Sequence, residues 1–333
     1  MSVQKLKDEA ARALGRKDVK YLIGYKKGSY GFRVSPAFIE PKENIDQLIF
    51  SPLCNMSLVK YVMMEEALPS LTEQAMKPSK IALVARGCDS RAINLLIEEK
   101  GVPRDKLYII GVSCQGVIDQ RKIEARFPQV TESAEVVEDN GKYIITFHGQ
   151  SHEVPKEELL ADLCTVCQYP TPLIYDKLIG DKVAPRKPCY DEIKAFEALP
   201  VEERLAFWQQ QFSKCVRCYA CRNVCPLCYS TICSLDSLSP QWLRRSVDQS
   251  ENFMFQIIRT FHLAGRCIGC GECERVCPMN LPQMKLNRKL EKDAKELFDY
   301  ESGKDPKSKP LLTTFRPEDP QGIYFIGLCA WIC

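Results

Sequence analysis

Histidine is scarce: there are three in 333 residues. A metal site would have to be built mainly from other donors, and no histidine stands at ligand spacing from a partner or beside a nucleophile. His148, His152 and His262 are therefore read as surface or internally satisfied side chains. Net charge is also small, +3 from 46 basic and 43 acidic residues. No basic stripe with interleaved aromatics is present, which argues against nucleic acid as a partner. No apolar run approaches the ~20 residues needed to cross a bilayer. The longest is YFIGLCAWIC at the end of the chain, read as a buried terminus, with a partner-docking tail as the alternative. The opening MSVQKLKDEAARALGRKD is charged and helix-like and lacks the apolar core of a signal peptide, so a cytoplasmic protein with no membrane span is expected. The sequence also lacks a G-x-G-x-x-G, a P-loop, a Ser/His/Asp arrangement and an adjacent Cys-Cys pair suited to cleaving disulfides.

Cysteine is what the chain has in excess, with 18 residues. A disulfide scaffold is usually short and secreted, and neither description fits. Thiols grouped as C-x-x-C in a chain of this kind point to metal.

Residues 1–180 read as an α/β domain with a partly parallel sheet. KIALVAR (80–86) is a strand, GCDS a turn in which Asp89 or Ser90 can cap, and RAINLLIEEKG a helix. KLYIIGV (106–112) is a second strand and IDQRKIEARF a second helix, an order that implies parallel pairing. AEVVEDNGKYIITFHG reads as a hairpin turning at Asn140-Gly141, and EVPKEELLADL as a helix entered at Pro155. Residues 181–199 read as a linker. After it strand signals vanish. VEERLAFWQQQF, PQWLRRSVDQ, ENFMFQIIRTFHLAG and PQMKLNRKLEKDAKELF read as helices of a mainly α-helical ferredoxin domain over 200–300. The stripe Phe253, Phe255, Ile257, Ile258 and Phe261 reads as core packing against the cysteine loops. Residues 301–333 read as a C-terminal extension.

The strongest motif is doubled. Cys215-x2-Cys218-x2-Cys221-x3-Cys225-Pro226 recurs as Cys267-x2-Cys270-x2-Cys273-x3-Cys277-Pro278. Three thiols at i, i+3 and i+6 wrap a loop around three corners of a 4Fe-4S cubane, and the proline turns the chain away after the fourth. In two-cluster ferredoxins the fourth cysteine ligates the other cluster. Cys215, Cys218, Cys221 and Cys277 are thus expected on one cluster, and Cys267, Cys270, Cys273 and Cys225 on the other. Structural zinc, which needs separated knuckles around one ion, fits two such copies poorly. Cys228, Cys233, Cys189, Cys329 and Cys333 match no specific spacing and are read as thiols packed beside the clusters.

A weaker constellation is spread over the first domain. LIFSPLC ends at Cys54, IALVARGC at Cys88 and LYIIGVSC at Cys114. Each thiol is expected just past the carboxyl end of a strand, where open parallel sheets bind ligands. Cys164-x2-Cys167 follows. Cys88, Cys114, Cys164 and Cys167 are the best candidates for a third 4Fe-4S cluster, with Cys54 an alternate ligand. Small buried hydrophobes are the competing reading.

Two resemblances follow from these stretches. The 41 helical-looking residues between Cys225 and Cys267 make 200–300 similar to the α-helical ferredoxins of heterodisulfide reductase and succinate dehydrogenase iron–sulfur subunits. VARGCDSRAI, YIIGVSCQGVID and LCTVCQYPTP resemble the beta-subunit family of the coenzyme F420 hydrogenases and dehydrogenases, over roughly residues 45–180. Members of that family bind FAD and a 4Fe-4S cluster, and pass electrons between a partner's iron–sulfur chain and a deazaflavin. The resemblance implies an electron-transfer subunit of an anaerobic redox complex. Its partner would be of formate dehydrogenase, hydrogenase or methylene-tetrahydrofolate reductase type, and its acceptor heterodisulfide-reductase-like or a flavin. It implies, as an alternative, an F420-dependent reductase working through its own FAD. Clusters with a purely structural role, as in some nucleic-acid enzymes, are a remote alternative. Candidate flavin contacts are Gly28 in KKGSYG (26–31) and the basic turn carrying Arg86 and Arg91; ordinary solvated charge is the competing reading.

Overall fold

A computed structural model describes residues 3–29, 32–41, 43–67, 80–130, 134–230 and 233–311. Tyr30 and Gly31 of the KKGSYG loop, most of the 301–333 extension, and YFIGLCAWIC with Cys329 and Cys333 lie outside the described residues. The chain divides into two compact units, Met1–Pro188 and Cys189–Cys333.

The first unit runs in chain order α1 (Val3–Leu14), β1 (Val19–Lys27), β2 (Val34–Ile39), α2 (Val59–Ala67), β3 (Lys80–Ala85), α3 (Gly87–Glu98), β4 (Leu107–Val112) and α4 (Gln120–Arg126). It continues through β5 (Glu135–Asp139), β6 (Lys142–Phe147), β7 (Gln150–Pro155), α5 (Lys156–Leu159) and β8 (Lys177–Ile179). The main sheet has the order β2-β1-β3-β4-β8. All neighbouring pairs are parallel except β1–β2. β3 and β4 are buried along nearly their whole length, as their unbroken apolar runs require of strands covered on both faces. α1 packs on β1, β3 and β4, and α3 on β3 and β4.

The smaller sheet, β5-β6-β7, is antiparallel. Its first turn has both central residues left-handed, Asn140 at φ 46° and Gly141 at φ 79°, the geometry that matches strand twist in a two-residue hairpin. β7 is an element the sequence reading missed. Its polar alternation resembles a helix entry, yet Val154 alternates inward between exposed neighbours.

Three expectations need correction. LIFSPLC is not a strand: only Ile49 bridges to Tyr25. Pro52 has no N–H for a ladder, and residues 51–54 instead close a turn, Cys54 N donating to Ser51 O at 2.9 Å. The linker over 181–199 is shorter than expected, because Asp191–Glu197 form a helix that buries Ile193 and Phe196. PQWLRRSVDQ is irregular, with helix starting only at Gln249. Only Leu243 of that segment is buried, and the Arg244 N–H is satisfied by the Glu251 carboxylate at 2.9 Å rather than by a preceding carbonyl.

The second unit contains α6 (Asp191–Glu197), α7 (Val201–Ser213), α8 (Ala220–Asn223), α9 (Gln249–Phe261), α10 (Glu272–Arg275) and α11 (Gln283–Phe298). No strand occurs among its described residues. Ile193, Phe196, Trp208, Phe212, Ile257 and Leu286 form its core, with Phe253 and Phe261 packed against it. Trp208 stacks on Phe212 with centroids 5.2 Å apart. Phe255 instead meets Tyr219 of the first cysteine loop edge-on at 5.3 Å.

The start of α3 shows how tightly the first unit is drawn together. The helix begins at Gly87, and the Asp89 carboxylate reaches back to the Arg86 N–H at 3.0 Å. A Cβ at Gly87 would lie 1.6 Å from the Tyr169 carbonyl oxygen. Ser90 Oγ donates to Gly87 O at 2.7 Å and accepts from Leu173 N at 2.9 Å. Gly87→Ala should therefore force these backbones apart and lower stability by about 1–3 kcal/mol. Gly15→Ala, whose Cβ would meet nothing nearer than 3.4 Å, should change it by less than about 0.5 kcal/mol. Denaturant unfolding of the two variants beside the parent chain checks the contrast.

Candidate functional site

The two cysteine loops of the second unit repeat one another in backbone detail. Between the first and second cysteines Arg217 has φ 53° and Gly269 φ 67°; between the second and third Tyr219 has φ 60° and Gly271 φ 72°. Each left-handed pair turns the chain between successive cysteines at the same two places in both loops. A single helical turn follows each, α8 or α10, capped by Tyr219 or Gly271. The fourth cysteine then closes a turn on the residue three before it, Cys225 N on Arg222 O and Cys277 N on Glu274 O. Left-handed geometry is easy for glycine and costs a side-chain-bearing residue of order 1–2 kcal/mol. The first loop holds it by locking Arg217. Its guanidinium donates to Glu251 O at 3.0 Å and Arg244 O at 3.3 Å and lies over the Phe255 ring at 4.4 Å.

The structure brings the thiols together across the repeat. Cys215, Cys218, Cys221 and Cys277 line one hollow, beside Phe255 and Pro278, and Cys215 packs with Cys277 and Leu281. Burial pushes the Cys221 thiol up, and Cys215 and Cys277 add to the push. On the other side, burial raises Cys270, with Glu272, Cys273 and Cys225 contributing. Burial likewise raises Cys273; Arg259 opposes it, and Cys267 and Cys225 reinforce it. The fourth cysteine of each motif thus acts on thiols of the other. Such thiols resist ionisation unless something positive takes the proton's place, which is what a metal does. Cys218 is exposed; the other seven are buried or half-buried. Among the described residues no three His, Cys, Asp or Glu side chains converge tightly enough for a single ion. Four thiolates standing around a cubane need no such convergence.

A polar stripe on α9, absent from the sequence reading, faces these loops. Asn252, Gln256 and Arg259 lie at i, i+4 and i+7, one helix face, and are 0%, 2% and 1% exposed. Asn252 Nδ2 donates to Cys215 O at 2.8 Å and Gln256 Nε2 to Cys215 Sγ at 3.4 Å. From α11, Asn287 Nδ2 reaches Cys273 Sγ at 3.8 Å. The signal was available: three polar residues at helical spacing on a helix between two cysteine motifs. Cys228 and Cys233 lie where they act on Arg222, which is ion-paired with Asp236, and Cys189 is exposed.

In the first unit, Cys114, Cys164 and Cys167 are close enough to act on one another. Burial pushes Cys114 up to about 11, against the pull of Arg86, and Cys164 and Cys167 add to it. Burial also raises Cys167, where Arg91 and Arg186 pull the other way. Backbone N–H groups point at these sulfurs, Gly116 N to Cys114 Sγ at 3.4 Å and Val117 N to Cys164 Sγ at 3.5 Å. Gly116 is at φ 114°, and a Cβ there would lie 3.2 Å from that of Cys164. Gly87, next to Cys88, abuts Tyr169, and Cys114 N donates to Pro170 O at 2.9 Å; Cys88 itself acts on Arg86. Cys54 is shaped by burial, Ser51 and Arg86 rather than by the other thiols.

The flavin expectations are revised. Arg86 is 3% exposed and its guanidinium is committed inward, to Asp89 at 2.9 Å, Cys54 O at 2.6 Å and Met56 O at 2.7 Å. It is a brace tying the Cys54 turn to α3 rather than a phosphate ligand. Arg91 is also buried, over the Tyr169 ring at 4.5 Å. Gly28 N donates to Arg33 O at 2.8 Å within the β1–β2 connection. None of the three lines the large cavity of this unit, which measures about 1130 Å³ and is walled by α1, the segment after β4, β5 with its turn, and β8 with the residues that follow it. Phe50, Ser51, Ser113, Cys114, Gly180 and Lys182 are among its walls.

A family model described as a 4Fe-4S dicluster domain matches residues 214–282. The chain is homologous to the F420-dependent formate dehydrogenase subunit beta of Methanocaldococcus jannaschii, 26% identical over 71% of this chain and 77% of that one. Subunit beta of F420-dependent formate dehydrogenase 1 of Methanococcus maripaludis is 24% identical over 87% of this chain and 88% of that one. A chain of the F420-reducing [NiFe] hydrogenase complex from Methanosarcina barkeri, 15% identical, covers 49% of this chain and 59% of its own at a TM-score of 0.37, too slight a likeness to build on.

The two readings of Arg86 separate in one experiment. Arg86→Met removes one partner of a buried ion pair and should destabilise the chain by about 3–5 kcal/mol, measured by denaturant unfolding without added flavin. A phosphate ligand would instead leave that stability intact and weaken flavin binding alone.

Proposed function

We propose that this chain is an iron–sulfur electron-transfer subunit of a cytoplasmic redox complex. The carrying observation is the pair of cysteine quartets in the second unit, with no nucleophile–base constellation beside them among the described residues. Cys215, Cys218, Cys221 and Cys277 hold one 4Fe-4S cluster, and Cys267, Cys270, Cys273 and Cys225 the other. Cys88, Cys114, Cys164 and Cys167 hold a third in the first unit. Cys54 remains the alternate ligand there, although its place in the Ser51 turn favours a packing role. The homologous beta subunits support a partner of formate dehydrogenase type, with the hydrogenase and methylene-tetrahydrofolate reductase types less favoured.

A flavin fits the first unit best in the large cavity. Its volume, about 1130 Å³, is somewhat above the ~300–1,000 Å³ of ordinary ligand pockets. Lys5, Arg12, Lys177 and Lys182 supply positive charge for phosphate beside the carboxylates of Asp8, Glu9, Glu138, Asp139 and Asp181, with Phe50 an aromatic face and Ser51 and Ser113 hydroxyls. Cys114 stands in the same wall, so a cofactor bound there would adjoin a third-cluster ligand. When bound, a flavin supplies exchange between hydride and single-electron chemistry. The chain's own residues supply position and charge, with Gly180 at φ 88° letting the backbone turn at the cavity wall.

The second reading, an F420-dependent reductase acting through its own flavin, is favoured by the same cavity and by the F420-dependent relatives. The two readings share their cofactors and differ in what the isolated chain can do.

Anaerobic analysis of the isolated chain should find about twelve irons and one flavin, from four irons per cubane. Cys114→Ser with Cys164→Ser should reduce iron to about eight. About eight irons in the parent chain would remove the third cluster, and fewer would remove the reading itself. With reduced F420 and an artificial acceptor, turnover by the flavin-replete chain alone selects the reductase reading. Turnover only with a partner oxidoreductase selects the relay.

A further inference from the structure

Arg259 sits where neither motif would place a functional residue, in the middle of the segment that joins them. It is 1% exposed. Its Nη2 donates to Gln283 Oε1, and its Nε and Nη1 have no hydrogen-bond partner among the described residues. Burial works against its charge, and thiols of both quartets work for it: Cys273 and Cys225 from one, Cys221 from the other, with Cys228 beside them. A guanidinium cannot relieve its burial by losing a proton. A buried cation with idle donors is costly unless negative charge stands next to it.

We propose that Arg259 is the positioning residue that sets the reduction potentials of both clusters of the second unit, with Gln256 adjusting one of them. This rests on the assignment of the two quartets to cubanes. Reducing a cubane adds one electron and no compensating charge. A fixed positive group in a low-dielectric interior therefore stabilises the reduced state more than the oxidised one and raises the potential. Arg259 is tied to both quartets through its partner Gln283, which lines the hollow of Cys215, Cys218, Cys221 and Cys277 and whose chain neighbour Met284 meets Cys273 Sγ at 3.6 Å. By holding the amide oxygen Arg259 orients the Gln283 side chain, which favours the Cys221 thiolate. Gln256 Nε2 donates to Cys215 Sγ, at 3.4 Å, a thiol of one quartet. An N–H···S bond withdraws charge from sulfur and raises the potential of the cluster that sulfur binds.

The test is an EPR-monitored redox titration of the full chain as isolated anaerobically, with iron counted in every sample. Arg259→Gln should move two potentials to more negative values, and Gln256→Leu one. Arg259→Lys, which keeps the charge, should lie between Arg259→Gln and the parent. Parent potentials in Arg259→Gln with full iron would overturn the proposal. If Arg259→Gln loses iron, Arg259→Lys decides: two potentials more negative than the parent's sustain the proposal, and parent potentials overturn it. A parent chain without cubanes fails at the iron count, before any potential is read, and so strikes the ligand assignment instead.

Discussion

The cost of holding negative charge inside a protein governs this molecule. A thiolate taken from water into an apolar interior is expensive unless it meets metal, cation or N–H donors, and burial pushes Cys114, Cys167, Cys221, Cys270 and Cys273 towards the neutral thiol. Each unit answers in its own way. The second threads Asn252, Gln256 and Arg259 along one helix face beneath the cysteine loops. The first uses Arg86, Arg91 and Arg186 around three thiols, with the backbone of Gly116 and Val117 aimed at two sulfurs. These polar groups are buried because the sulfurs are, and the surrounding packing follows from that.

The internal repeat shows the same constraint acting on the backbone. Presenting three thiols from one short loop requires left-handed residues at two fixed places. The second loop meets this with Gly269 and Gly271. The first uses Arg217 and Tyr219, and its strain is offset by the Arg217 hydrogen bonds and by the contact of both side chains with Phe255. That dependence ties the loop to α9, the helix that also carries Arg259. Folding of the loop, placement of its thiols and the electrostatics around them are therefore linked through one helix.

What could be read from the sequence depended on whether its cause was local. The doubled C-x2-C-x2-C-x3-C-P spacing is a local demand, and it announced the second unit's chemistry at once. β3, β4 and the Asn140-Gly141 turn are likewise local, and were legible as an apolar run or a turn pair. Cys54 was misplaced because LIFSPL has a strand's composition while Pro52 denies it a ladder. The helix expected over 240–249 failed because the segment buries only Leu243 and spends its polar groups on Glu251. Arg86 looked like a phosphate ligand because a basic turn at a helix start has that appearance. Its inward role depends on the carbonyls of Cys54 and Met56, some thirty residues earlier in the chain. The α9 stripe and the large cavity arise from tertiary arrangement, which spacing alone does not carry.

The central claim is that each motif gives its fourth thiol to its neighbour's cluster. Iron-edge anomalous diffraction from anaerobically grown crystals tests it most directly. The account predicts iron density enclosed by Cys215, Cys218, Cys221 and Cys277, and a second enclosed by Cys267, Cys270, Cys273 and Cys225. Density enclosed by Cys215, Cys218, Cys221 and Cys225, each motif closing on its own cluster, would contradict it.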